Sequence, residues 1–144
     1  MTLYLLKDKK DPFYESALEE LKKEREDDFF FFSDETRNYL LLDSSNNIMG
    51  GIDAILTTSS LEAEILFIYV KKELRQNGYG YKMLQEFFVI LEDEKINEVF
   101  IEVDTENKPA ISLYNKCGFK NLYTRKSYYK NGHDALVMHK ELEV

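Results

Sequence analysis

The chain has 144 residues, 44% of them hydrophobic and 14% aromatic, with a formal net charge of −8. That length reads as one domain, residues 1–144, able to bury a single core. The negative balance argues against nucleic acid as a partner, since phosphates call for basic patches, and no run of about 18 apolar residues offers a membrane span. Charge is uneven: the first sixty residues hold 13 acidic side chains against 7 basic ones. Such a half suits a cationic partner, an amine or a basic peptide, and equally a solvated helix face. The N-terminus lacks a basic segment followed by a long apolar one, so no secretory signal is expected. The single Cys117 cannot close an internal disulfide, and both readings fit a cytoplasmic protein.

In chain order, Leu3 to Leu6 reads as a strand. Asp11-Pro12 reads as a helix cap with proline at the first helical position, and Tyr14, Leu18 and Leu21 fall on one face of the helix that follows. This helix closes in the acidic run Glu24 to Asp28, and Phe29 to Phe32 reads as core or pocket wall. Asn38 to Asp43 and Ile48 to Leu56 read as strands joined by the polar turn Ser44-Ser45-Asn46-Asn47. Glu62 to Val70 reads as a third strand whose continuous apolar end is expected to be buried on both faces.

Gly80, Leu84, Phe87, Phe88 and Leu91 keep helical spacing, and Val99 to Val103 is strand-like. Asn107-Lys108-Pro109 opens a helix that Cys117-Gly118 closes, glycine suiting a left-handed C-cap. Phe119 to Lys126 and Ala135 to Glu141 read as closing strands around Lys130-Asn131-Gly132-His133. The expected order, β-α-β-β-β-α-β-α-β-β, makes a mixed α+β sheet.

The stretch Val70 to Tyr81 carries the clearest chemistry. A buried strand empties into a loop holding Arg75, Gly78 and Gly80, and a helix leaves it. Backbone N–H groups and the positive end of a helix dipole then converge on an anion site, and glycines without Cβ atoms admit a phosphate. The dinucleotide fingerprint needs a third glycine where Met83 stands, and the P-loop needs Gly-Lys-Ser/Thr where Gly80-Tyr81-Lys82 stands. What remains is Arg-x-x-Gly-x-Gly after a buried strand.

This loop, followed by Ile101-Glu102-Val103, Asn107, Ala110-Ile111-Ser112-Leu113-Tyr114, Gly118-Phe119, Tyr128-Tyr129 and Asp134 to Met138, resembles the GNAT acetyltransferase superfamily. Residues 62–142 are similar to the branch that acetylates protein N-termini, typified by bacterial ribosomal-protein-alanine N-acetyltransferase. The resemblance implies a GNAT fold: a central, mostly antiparallel sheet of about seven strands with one splayed strand pair, flanked by helices. It implies acetyl-CoA as cosubstrate and direct acetyl transfer to a primary amine. A protein or peptide α-amine leads. Small-molecule amines (polyamine, amino acid, antibiotic) and a non-catalytic acyl-CoA sensor are the alternatives.

By the same resemblance Tyr114 is the general acid beside the CoA sulfur and Glu102 the general base, with Glu64 in reserve on the preceding strand. Ile68, Tyr69 and Val70 would bond the pantetheine through their main chain, with Asn107 near that arm. Gln76, Asn77, Gly78, Tyr79, Gly80 and Tyr81 would hold the pyrophosphate, with Arg75 at the loop entrance. Lys71, Lys72 and Lys82 lie near enough in sequence to meet the 3′-phosphate, or are surface lysines. Tyr128 and Tyr129 would line the acceptor entrance. Cys117 reads as a small buried residue, and His133 and His139 lack metal-ligand spacing with any cysteine, so no metal is expected.

Overall fold

The computed structural model describes residues 1–25 and 30–143. In chain order these form β1 (Thr2–Leu6), α1 (Tyr14–Glu24), β2 (Thr36–Leu42), β3 (Ile48–Thr57), β4 (Glu62–Val70), α2 (Tyr79–Asp93), β5 (Glu98–Asp104), α3 (Lys108–Lys116), β6 (Lys120–Arg125) and β7 (Ala135–Glu141), with a 3-10 turn at Lys72–Leu74 between β4 and α2. The seven strands make one sheet in the order β1-β2-β3-β4-β5-β7-β6. Five neighbouring pairs are antiparallel. Only β4 and β5 run parallel, and α2 supplies the crossover that a parallel pair requires.

Strand alternation sends side chains to two cores. Tyr39 and Leu41 of β2 join the larger core with Phe87, Leu91, Ile101 and Tyr114, under α2 and α3. Leu40 and Leu42 join the smaller one with Leu6, Ala17 and Leu21, under α1. The helical stripe of α2 is buried as its spacing predicts, at Leu84, Phe87, Phe88 and Leu91. Burying such side chains stabilises by roughly 1.5–3 kcal/mol each.

Three local readings need correction. First, α1 starts at Tyr14, with Phe13 at the N-cap position. The Asp11 carboxylate instead accepts the Phe13 N–H at 3.0 Å and the Tyr4 hydroxyl at 2.9 Å, tying a turn to β1 before the helix begins. Secondly, of the phenylalanine run, Phe29 lies outside the described residues, as do Glu26 to Asp28 of the acidic run. Phe30 is buried while Phe31 is 67% exposed, and Phe30 and Phe32 flank the Tyr14 ring at 6.3 Å. Thirdly, the apolar end of β4 is not buried on both faces: Leu66 is 51% exposed and Phe67 to Val70 are half-buried.

The turns follow their sequence signals. Asp43 caps the β2–β3 turn by accepting the Ser45 and Asn47 N–H groups, and Asn107 caps α3 by accepting the Ala110 N–H. Gly118 closes α3 at φ +95°, where an added Cβ would stand 2.7 Å from Lys140 Nζ.

Candidate active site

The parallel register of β4 and β5 runs from Glu62↔Glu98 to Ile65↔Ile101 and stops there. Leu66 is the extra residue of a bulge, since Ala54 opposes Ile65 and Asp53 opposes Phe67. Past it β4 stays on β3 and leaves β5, so the strands splay. Which groups the splay frees follows from antiparallel alternation. The Lys71 N–H donates to the Met49 carbonyl at 2.9 Å, so Lys71, and Tyr69 opposite Gly51, turn their main chains toward β3. Ile68 and Val70 then turn theirs toward the cleft.

Of the three residues expected to offer main-chain groups, Tyr69 is therefore the exception. Its ring lies on the α1 face instead, over Gly51, whose added Cβ would come 3.1 Å from Tyr69 Cε1. The Tyr69 hydroxyl is buried with no hydrogen-bond partner among the described residues; burial, with Glu20 and Asp53 nearby, pushes it well above the usual phenol range. One cleft-facing group is already taken, for Arg75 Nε donates to the Val70 carbonyl at 2.8 Å.

At the mouth of the cleft Gly78 takes φ +81° as the N-cap residue of α2, with no side-chain cap. Among the described residues nothing lies within 4 Å of where its Cβ would be. The first N–H groups of α2, from Tyr79, Gly80 and Tyr81, lack carbonyl partners inside the helix, and an anion suits such an end. Gly80 also lets α2 close on α3, since an added Cβ would stand 3.0 Å from Leu113 Cδ2. Gln76 holds φ +64°, and Asn77 Nδ2 donates to the Leu74 and Arg75 carbonyls, fixing the loop. The guanidinium of Arg75 meets Glu24 Oε2 at 2.9 Å, and Lys71 meets Glu20 at 3.4 Å. Lys82 sits over the Tyr79 ring.

Glu102 is half-buried on β5, opposite Val137 of β7 and one residue past the last pair with β4. Its Oε1 forms an ion pair with Arg125 Nε at 3.1 Å. The same carboxylate raises the Tyr128 hydroxyl above its ordinary value. Glu64 lies beside it on β4: partial burial first, then the Glu102 charge, raise its carboxyl, and Arg125 opposes this. Glu64, Glu102, Arg125, Tyr123 and Phe100 line a cavity of about 270 Å³. Tyr114 is buried on α3 against Phe119, and burial pushes its hydroxyl well above the usual range. Burial first, then the charges of Glu102 and Asp104, raise the Tyr129 hydroxyl. Tyr128 and Tyr129 meet edge to face at 5.2 Å.

Sequence reading missed Arg125, which stands on a strand with every residue exposed and no local pattern to single it out. It also missed the pair of His133 Nδ1 and Asp104 Oδ2 at 2.8 Å; the Glu106 N–H first, and His133 after it, hold the Asp104 carboxyl below its ordinary value. The cysteine spacing test passed over Glu98, His139 and Glu141, whose ligand atoms lie within 4.8 Å of one another. Cys117 is buried, and burial pushes its thiol up. Among the described residues no helix is long and apolar enough to cross a membrane.

The profile of the acetyltransferase (GNAT) family matches residues 3–119. The N-alpha-acetyltransferase of Sulfurisphaera tokodaii is 34% identical over 84 residues, 58% of this chain and 50% of that one. The N-alpha-acetyltransferase RimI of Mycobacterium tuberculosis is 32% identical over 92 residues, 63% of this chain and 56% of that one. The chain spans about half the length of the curated relatives it matches. Among solved structures, the ribosomal-protein-S18-alanine N-acetyltransferase from Escherichia coli superposes with TM-score 0.79 at 20% identity, over 99% of this chain and 94% of that one. A chimera of the Vibrio cholerae spermidine N-acetyltransferase SpeG with hSSAT gives 0.85 at 16% identity, over 98% and 96%. The two neighbours are named for different amines, so the likeness establishes the GNAT fold and leaves the acceptor open.

Proposed function

Because this chain belongs to the acetyltransferase (GNAT) family, we propose that it is an N-acetyltransferase that moves acetyl from acetyl-CoA to the α-amine of a protein or peptide. One observation carries the donor half: β4 and β5 part after Ile65↔Ile101, directly before the loop that ends at the uncapped start of α2. The main-chain groups of Ile68 and the N–H of Val70 suit the amide groups of a pantetheine arm. Gly78 and the first turn of α2 suit a pyrophosphate. The sequence relatives named for N-alpha-acetylation support an α-amine acceptor.

The reaction asks for a neutral amine and a protonated leaving thiol. An α-amine titrates at about 7.7–8.0, so a carboxylate need supply only modest help near neutrality; a lysine near 10.4 would need more. The amine nitrogen attacks the thioester carbonyl, a C–N bond forms and the C–S bond breaks. The amine proton passes to Glu102, directly or through water, with Glu64 beside it as the second acceptor. The departing sulfur takes a proton from Tyr114. A buried phenol raised above its ordinary value stays protonated throughout the working pH range, as a donor must.

The acidic lining of the cavity, with Glu62, Glu64 and Glu102, favours a polyamine as the second reading. An acetyl-CoA turnover screen of N-terminal peptides against polyamines, amino acids and aminoglycosides decides between them. Preferential peptide turnover is expected. Tight CoA binding with negligible turnover of every acceptor would mark the fold as a sensor instead.

A further inference from the structure

Arg125 is the one cation among the residues lining the acidic cavity. Its guanidinium has five donors and no acceptor. Nε forms an ion pair with Glu102 at 3.1 Å and Nη2 donates to the Tyr123 hydroxyl at 3.0 Å. Nη1 has no protein partner among the described residues. The group is also held in place, with Cζ 5.5 Å from the ring centroids of both Tyr123 and Tyr128. A fixed fork with an unfilled edge, beside two carboxylates, is complementary to an ammonium flanked by an oxygen.

Resting on the α-amine reading above, we propose that Arg125 determines acceptor specificity by binding the carbonyl oxygen next to the reacting amine, while Glu102 and Glu64 face the amine itself. The oxygen takes the place of solvent on a half-exposed guanidinium, and charge-assisted hydrogen bonds are the stronger kind. A polyamine offers no oxygen and sets a like charge against the guanidinium, so the same residue attracts one class and repels the other. Arg125 also positions Glu102, and the two roles separate experimentally.

The test compares a tetrapeptide with a free N-terminus against its analogue bearing an (E)-alkene in place of the first peptide bond, which removes the carbonyl and keeps the shape. Both are assayed with the wild type and with Arg125→Met, which keeps the aliphatic stem over the two tyrosines. The change in amine basicity between the acceptors is common to both enzymes and cancels in the ratio of their kcat/KM values. That ratio is expected to fall by roughly 10-fold or more in Arg125→Met, through a higher KM for the peptide, with the KM for acetyl-CoA unchanged. Arg125→Lys is expected to fall between, since an ammonium lacks the fork. A ratio identical in both enzymes, with kcat for both acceptors lowered equally, overturns the proposal and leaves Arg125 as a support for Glu102. If the wild type turns over neither acceptor, the transferase reading falls and this inference with it.

Discussion

One strand, β4, contains two chemically different regions. From Glu62 to Ile65 it is bonded on both sides, to β3 and to β5, and Ala63 and Ile65 are 1% and 3% exposed. From Leu66 to Val70 it is bonded on one side only, half-exposed, and turned toward a cleft. The bulge at Leu66 divides them. A sheet with every ladder bond made is stable but has no main-chain group left for a ligand. Under the proposed donor site, pairing ends where a ligand's amides would replace a neighbouring strand. The paired half holds the framework that keeps the open half open.

That contrast can be broken at either end. The largest effect is expected from Ala63→Asp, which puts an unpaired carboxylate into the paired half; a loss of several kcal/mol, read by chemical denaturation, should unfold the domain. Gly78→Val acts at the open end. It places a branched Cβ in the space left clear at the start of α2 and holds it at positive φ, at a cost of about 1–2 kcal/mol. Acetyl-CoA binding should be abolished by calorimetry while the circular dichroism stays native.

Tyr114→Phe should lower kcat by about 10²-fold or more with acetyl-CoA affinity nearly unchanged. Weak acetyl-CoA binding with normal turnover would remove Tyr114 from its assigned role. Glu102→Gln should lower kcat/KM by roughly 10²-fold and change the acidic limb of the pH–rate profile. Glu64 has its carboxyl raised, so it takes up its proton at higher pH than an ordinary glutamate as the pH falls. An acidic limb that survives Glu102→Gln and disappears in Glu64→Gln would make Glu64 the base. The smallest effect belongs to Leu66→Asp: at a half-exposed bulge it should change stability by no more than about 0.5 kcal/mol, against the unfolding expected three residues earlier.

The order of elements was legible because its signals are local. The spacing of Leu84, Phe87, Phe88 and Leu91 marks α2, Asn107 with Pro109 marks the start of α3, and Gly118 its end; each needs only neighbours within a turn or two. The motif from Arg75 to Gly80 with Glu102 and Tyr114 pointed to the family for a related reason, since a phosphate loop and a strand carboxylate are written in consecutive residues. The start of α1 was misplaced because Asp11 found its partner in Tyr4 of β1, a competitor outside the helix.

Sequence by itself therefore determined which segments are helix and strand, and the residue types of the loop between Val70 and Tyr81. The tertiary structure decided what those residues do. Register spent the main chain of Tyr69 on β3 and left Ile68 and Val70 facing the cleft. Helix packing set Gly80 against Leu113. The hairpin of β6 and β7 carried Arg125 onto Glu102. Each outcome depends on pairing between distant segments, and a strand's own pattern says which side chains are apolar but not which neighbour its backbone will meet.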